Sequence, residues 1–148
     1  MRSCSRNKDT IALLALFACI AAAAWSASAL AAGSSLPYGG GGRFAKFDPI
    51  VQQYNQSGEL FRIQGHCQSS CTLFLAIRNV CIEPGATLLF HGGGFPEISA
   101  AATEHMLSAY NSSLRAHLLE HHALETKAFF PVSGADMIRK FGYPRCPA

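Results

Sequence analysis

The N-terminal segment most constrains the fold, because it has the three parts of a secretory signal peptide, which is removed from the mature chain. A basic start is followed by an uncharged apolar stretch over residues 11–25 and then by small residues. Sites of the A-x-A type predict cleavage after Ala29 or Ala31, so we assign residues 1–31 to the signal peptide. The basic start consists of Arg2, Arg6 and Lys8.

Two other interpretations of this segment are weaker. An uncleaved anchor would need about 20 apolar residues to span a bilayer, and this stretch is shorter. Residues 16–19 loosely resemble the acylation signal of a lipoprotein, but Phe17 fits that signal poorly. We therefore expect a protein of the periplasm or the external medium that meets a membrane only during export.

Removal of the leader changes the charge balance. The leader holds three of the 12 Lys and Arg residues and one of the nine Asp and Glu residues, so nine basic and eight acidic residues remain. The formal charge falls from +3 to +1, which gives no reason to expect a nucleic-acid partner. About 115 residues make one small domain. We divide them into a glycine-rich N-terminal segment, 32–42, and a folded domain, 43–148.

The cysteines of the mature chain predict disulfides. Their number is even, and the expected compartment is oxidising. Four cysteines allow three pairings, and the sequence does not choose among them. A zinc site built on Cys67 and Cys71 is the alternative, but the other two cysteines are not closely spaced. The cysteines concerned are Cys67, Cys71, Cys81 and Cys146.

The pattern of apolar residues predicts a single α/β domain. A helix around Asp48 and Pro49 has an apolar stripe that begins at Phe44, and Gly58 ends it. A small turn opens into a buried helix at Ser69. The remaining elements are predicted as strands over 60–63, 80–83 and 86–90 and as helices over 103–124 and 134–141.

A serine and a histidine stand where they could carry chemistry. Ser69 begins a helix, where unpaired N–H groups favour a developing negative charge. His91 ends a strand, and glycines 92–94 after it leave room for a substrate. The tetraglycine run 39–42 offers N–H donors for an oxyanion. The pattern alone fits a helix cap and a structural histidine better than catalysis.

These segments resemble the Clp protease proteolytic subunit. Residues 65–71, Gly-His-Cys-Gln-Ser-Ser-Cys, resemble its nucleophile turn, and residues 80–93 resemble its two later strands and histidine base. The chain is also similar to small exported Clp-protease-like proteins of bacteria. The resemblance implies a short crotonase-like spiral of ββα units with Ser69 as nucleophile and His91 as base. It further implies Gly40 and Gly41 as oxyanion donors.

The resemblance also implies a third catalytic residue, an acid, near residues 128–130. No carboxylate stands there, although Glu125 and Asp136 flank the stretch, so we expect an incomplete triad. One hypothesis is a serine hydrolase, or a degenerate one, for which a peptide is the candidate substrate. The alternative is a non-catalytic, disulfide-stabilised binding or assembly domain with the same fold. No cofactor is expected, and homo-oligomerisation is left open.

Three histidines on the predicted long helix raise the question of a metal. His117 and His121 have the i, i+4 spacing that can hold a metal ion on one helix face. No glutamate directly follows the first histidine, as the common metalloprotease motif requires. We therefore predict a surface or interface helix without a metal site; the third residue is His122.

Overall fold

The structure, a computed structural model, describes residues 32–148, so the predicted signal peptide lies outside the described residues. Within residues 32–148 the strands form two three-stranded sheets, and with the helices they confirm the α/β class. The first sheet contains β1 (Gly33–Ser34), β2 (Phe61–Ile63) and β4 (Val80–Ile82). The second contains β3 (His66–Gln68), β5 (Thr87–Phe90) and β6 (Phe130–Ser133).

Consecutive strands alternate between the two sheets. β2 lies in the first sheet, β3 in the second, β4 in the first again and β5 in the second again. The strands of the first sheet are all parallel, and β3 also pairs with β5 in parallel. β6 runs antiparallel to β5 and closes the second sheet. Neither β3 nor β6 was predicted from the sequence. The residues of β3 favoured a turn.

The helices lie between and after these strands. α1 begins at Phe44, one turn before the Asp48-Pro49 pair that suggested its start, and Gly58 ends it with a φ of 71°. The buried helix after β3 is a 3-10 helix, Ser69–Ala76. The helices are a 3-10 turn (Leu36–Tyr38), α1 (Phe44–Ser57), the 3-10 helix, α2 (Ala100–Ser108), α3 (Ser112–Glu120) and α4 (Gly134–Arg139).

The prediction of one long helix over 103–124 is wrong. Two shorter helices, α2 and α3, occupy this stretch because the Asn111 side chain accepts a hydrogen bond from the Leu114 N–H and caps the start of α3. Asn111 also donates to the Phe141 carbonyl at 2.7 Å. The apolar stripe continues across the break, since Met106, Leu114 and Leu118 are all buried.

A cluster of aromatic side chains fixes α1 and the 3-10 helix against the first sheet. Phe74, from the 3-10 helix, lies 5.4 Å from Phe47 of α1 and 4.5 Å from Phe61 of β2, measured between ring centroids. All three rings are buried. Burying such a side chain contributes about 1.5–3 kcal/mol. This packing sets the position of the turn that precedes the 3-10 helix.

Both predicted disulfides are present. Cys67 pairs with Cys71 across the Ser69 turn, so these two sulfurs are not half of a zinc site. Cys81 of β4 pairs with Cys146 and holds the C-terminal tail beside the first sheet. Of the helices in residues 32–148, none combines the length and the apolar character needed to cross a bilayer.

Candidate functional site

Ser69 has an unusual backbone conformation. Its φ is +54°, and only one other non-glycine residue between 32 and 148 has a positive φ. The left-handed region costs an L-residue about 1–2 kcal/mol, so the surroundings must impose it. Ser69 also joins a strand directly to a helix. A strained strand-to-helix turn is how many hydrolases expose a nucleophilic hydroxyl.

Three contacts hold this turn. The Cys67–Cys71 disulfide bridges it. The Thr72 hydroxyl donates to the Ser69 carbonyl at 2.7 Å, which fixes the turn from the side of the 3-10 helix. The Ser70 hydroxyl donates to the Gly42 carbonyl at 2.5 Å and connects the turn to the tetraglycine run. Ser69 is therefore held rigidly while its own hydroxyl makes no hydrogen bond with residues 32–148.

The tetraglycine run packs directly against the turn that carries Ser69. The Gln68 N–H donates to the Gly39 carbonyl at 2.9 Å, and the Gln68 side chain donates to the Gly40 carbonyl at 3.1 Å. Gly41 has a φ of +72°, and a Cβ at this position would lie 2.9 Å from the Ser69 Cβ. Only a glycine allows this approach. The run is thus an ordered part of the site and not a linker.

The N–H groups of this region differ in availability. The Gly41 N–H donates to the Tyr38 carbonyl at 3.0 Å, so it is already used within the loop. Gly40, the other predicted oxyanion donor, is exposed and has no atom within 4 Å of a Cβ built on it. The N–H groups of Gly42 and Ser70 have no hydrogen-bond acceptor among the described residues. Gly42 and Ser70 both line the groove that contains Ser69.

His91 follows β5, and its ring is oriented by the backbone. The Nδ1 atom lies 2.8 Å from the Gly92 carbonyl oxygen. A carbonyl oxygen only accepts, so Nδ1 carries the proton and Nε2 is left as a proton acceptor. The ring also packs edge-on against Phe129, with centroids 5.1 Å apart.

No carboxylate of residues 32–148 pairs with His91. Glu125, the nearer flanking acid in the sequence, pairs with His122 at 2.7 Å. Asp136 pairs with Arg139 at 3.1 Å and with Lys140 at 3.3 Å. Among the described residues, the hydrogen-bond partner of the His91 ring is therefore the Gly92 carbonyl and not a carboxylate.

Ser69 and His91 line the same open groove, which has a volume of about 800 Å³. Between these two described residues there is no direct hydrogen bond, so a productive contact needs a movement that brings Ser69 Oγ within hydrogen-bond distance of the His91 ring. Phe44, Phe95 and Met106 form apolar parts of the wall. The charged side chains of the wall are both cations, Arg43 and Lys127. The Lys127 ammonium donates to the Gly94 carbonyl at 3.2 Å.

The glycines after His91 were expected to leave room for a substrate, and they also have a role in packing. Gly92 and Gly93 are buried, and a Cβ on them would lie 2.5 Å from the Leu124 carbonyl oxygen and 2.6 Å from Ala102, respectively. Both allow close backbone packing against neighbouring elements. Gly93 and Gly94 also line the groove, whereas Gly92 does not.

Several groove features were not predicted from the sequence. Ser70 directly follows the candidate nucleophile Ser69, so its place at the helix start was a usable signal for a donor. Phe95, which is 95% exposed at the groove, carries no such signal.

In comparisons with known proteins, no family model matches the chain and no curated protein matches it.

Proposed function

We propose that this protein is an exported serine hydrolase of the Clp-protease-like type, with Ser69 as nucleophile and His91 as base. The observation that carries the proposal is the left-handed φ of Ser69, +54°, in a groove that His91 also lines. Strained backbone in an ordered structure clusters at functional sites, because only a structure that over-determines the conformation retains it.

The order of the strands supports a short crotonase-like spiral. Successive strands alternate between the two sheets, and β2–β4 and β3–β5 both pair in parallel. Strand pairs that advance in this way, with helical segments between them, are the repeat expected of ββα units. The turn that bears Ser69 then lies where the second sheet meets the 3-10 helix.

The residues of the groove can perform acyl transfer in the usual order. His91 Nε2 accepts the Ser69 hydroxyl proton as Oγ attacks the substrate carbonyl carbon. The N–H groups of Gly42 and Ser70 stabilise the oxyanion, in place of the expected Gly40 and Gly41. The imidazolium then protonates the leaving amine, and water activated by the same ring hydrolyses the acyl-enzyme.

A slow enzyme is expected from the partner of His91. The Gly92 carbonyl fixes the tautomer and the orientation of the ring, which are two tasks of the acid in a triad. It carries no full charge, so it stabilises the imidazolium less than a carboxylate does. We expect a measurable acylation rate below that of a complete triad.

The lining of the groove favours an apolar peptide as substrate. Phe44, Phe95 and Met106 can pack against an apolar side chain, and Arg43 with Lys127 favours an acidic group or a terminal carboxylate nearby. The two disulfides are consistent with an oxidising compartment, in agreement with the proposed export. N-terminal sequencing of the exported protein should begin at Leu30 or Ala32.

A serine-directed fluorophosphonate probe tests the catalytic part of this proposal. The mature protein should be labelled on Ser69, and Ser69→Ala should abolish labelling. Ser113→Ala is the matched control, because Ser113 is an exposed serine that also lies near a helix start. Labelling of Ser69→Ala at the wild-type rate, or no labelling of a folded wild type, would contradict the proposal.

The alternative is a non-catalytic binding domain with the same fold. Two observations on the described residues favour it. Ser69 and His91 share no hydrogen bond, and no carboxylate pairs with the His91 ring. In that case the groove would bind apolar peptides without cleaving them. Binding of a peptide library to the wild type, with equal affinity for Ser69→Ala and no probe labelling, would support it.

A further inference from the structure

The six histidines of the chain, all of them in the described part, fall into two groups. Four have a hydrogen-bond partner within 3.0 Å of a ring nitrogen. The other two, His117 and His121, have none among residues 32–148. They lie one turn apart at the C-terminal end of α3, with ring centroids 4.3 Å apart. The paired histidines are His66, His91, His105 and His122.

A carboxylate completes this group. One ligand atom from each of His117, Glu120 and His121 lies within 4.8 Å of the other two. Glu120 makes no hydrogen bond or ion pair with another described residue, so its carboxylate is available. The sequence His-Leu-Leu-Glu-His has the H-x-x-E-H order in which some zinc peptidases place two histidine ligands on one helix.

Neighbouring rings hold the two imidazoles in place. His121 stacks on Phe130, with centroids 5.6 Å apart and an angle of 26° between the ring planes. His117 packs between Phe130, at 5.8 Å, and Phe141, at 5.0 Å. Such bracing reduces the conformational freedom that a metal would otherwise have to remove, so part of the ordering cost of binding is already met by the fold.

The electrostatic surroundings also suit a cation. The negative end of the α3 dipole points at this position, and Glu120 adds a full negative charge. The nearby cation Lys140 pairs with Asp136 at 3.3 Å, and Arg139 pairs with the same carboxylate at 3.1 Å. These three groups together keep one net positive charge, which the Glu120 carboxylate opposes at the site.

We propose that His117, Glu120 and His121 form a binding site for one zinc(II) ion. Imidazole and carboxylate ligands suit zinc, and ligands about 2.1 Å from a tetrahedral ion lie about 3.4 Å apart. The ligand atoms now lie within 4.8 Å of one another, so binding requires the three side chains to close toward that spacing. Three protein ligands leave the fourth position to water. The site is separate from the proposed hydrolase groove, since none of its three residues lines that groove.

Isothermal titration calorimetry of the untagged mature protein with zinc sulfate at neutral pH tests the site. Wild-type protein should bind one zinc ion per chain. His121→Gln and Glu120→Gln, both at exposed positions, should each weaken binding by about tenfold or more, as loss of a ligand interaction does. His122→Gln is the matched control, because His122 is the next residue along the chain and should leave the affinity unchanged.

Two results would overturn the site. One is the lack of any saturable zinc binding to folded wild-type protein. The other is an unchanged zinc affinity in the double variant Glu120→Gln/His121→Gln, with circular dichroism confirming that it is folded. Fluorophosphonate labelling of Ser69 should be the same with and without zinc, so failure of this site and failure of the hydrolase are told apart.

Discussion

The hydroxyl groups of Tyr110 and Thr72 lie 2.6 Å apart in the core, and this pair supports the turn that carries Ser69. Thr72 has one hydroxyl proton, which it donates to the Ser69 carbonyl. The Tyr110 hydroxyl must therefore donate to Thr72. The segment between α2 and α3 is in this way connected to the candidate nucleophile through two buried hydrogen bonds.

Removal of the two hydroxyls should have unequal effects. Thr72→Val leaves both the Ser69 carbonyl and the Tyr110 hydroxyl without their partner, and should lower the free energy of unfolding by about 2–3 kcal/mol. Tyr110→Phe leaves the Thr72–Ser69 bond intact and should cost about 1 kcal/mol. Urea unfolding of both variants measures the difference. An equal or larger cost for Tyr110→Phe would contradict the assigned direction of the two hydrogen bonds.

Tyr110 should also make the protein sensitive to alkali. Burial raises the pKa of Tyr110 above its ordinary value of about 10. The folded state therefore holds the phenol proton more tightly than the unfolded chain does. The resulting stabilisation is fully present below about pH 10 and is lost as the pH rises toward the folded-state pKa.

Unfolding in urea between about pH 9 and about pH 12 tests this sign. The free energy of unfolding should fall with pH in the wild type and fall much less in Tyr110→Phe. Tyr54→Phe is the control and should keep most of the slope, because Tyr54 is only half-buried. A slope that is unchanged in Tyr110→Phe would show that another group causes the alkaline loss.

The two disulfides should contribute unequally to stability. Cys81 and Cys146 are 65 residues apart in the sequence, whereas Cys67 and Cys71 are four apart. Loop-closure entropy predicts about 4 kcal/mol for the long loop and about 2 kcal/mol for the short one. Double Cys→Ala variants of each pair, compared by urea unfolding, should show this order.

The reverse order of these two costs would mean that the short disulfide does more than close a loop. It would then be needed to hold Ser69 in its left-handed conformation. Fluorophosphonate labelling of the variant that lacks Cys67 and Cys71 measures that effect directly. The variant that lacks Cys81 and Cys146 serves as its control, since that bridge is distant in sequence from the turn.

The sequence predicts the elements whose signals are local. Three features follow from residue types at their positions: the strands that begin at Val80 and Thr87, the end of α1 at Gly58 and the start of α4 at Gly134. β3 was missed because its three residues, His-Cys-Gln, have no apolar pattern, and pairing with β5 alone makes them a strand. The break at Asn111 was missed because the apolar stripe continues through it.

The candidate site also has some features that the sequence predicts and others that it does not. Ser69, His91 and the tetraglycine run were predicted from residue types and from the resemblance, and the fold brings Ser69, His91 and Gly42 of that run to one groove. The orienting role of the Gly92 carbonyl was not predictable, because every residue has a carbonyl. Use of the Gly41 N–H within the loop depends on a turn that a run of identical glycines does not specify.

Gly41 and its neighbour Gly40 provide the sharpest test of how the site is built. A Cβ at Gly41 would lie 2.8 Å from the Gln68 carbonyl oxygen and 2.9 Å from the Ser69 Cβ, at a φ of +72°. Gly41→Ala must therefore displace either the tetraglycine run or the turn that carries Ser69. We expect it to abolish fluorophosphonate labelling of Ser69 and to lower the free energy of unfolding by about 1–3 kcal/mol.

Gly40→Ala is the matched control for that substitution, because a Cβ at Gly40 meets no atom within 4 Å. It should change the free energy of unfolding by less than about 0.5 kcal/mol and leave labelling nearly unchanged. The contrast between adjacent glycines separates contact with Ser69 from a general effect of the loop. If Gly40→Ala impairs labelling as strongly as Gly41→Ala, the loss is a general effect of altering the tetraglycine run, and the close approach of Gly41 to Ser69 is not what holds the site.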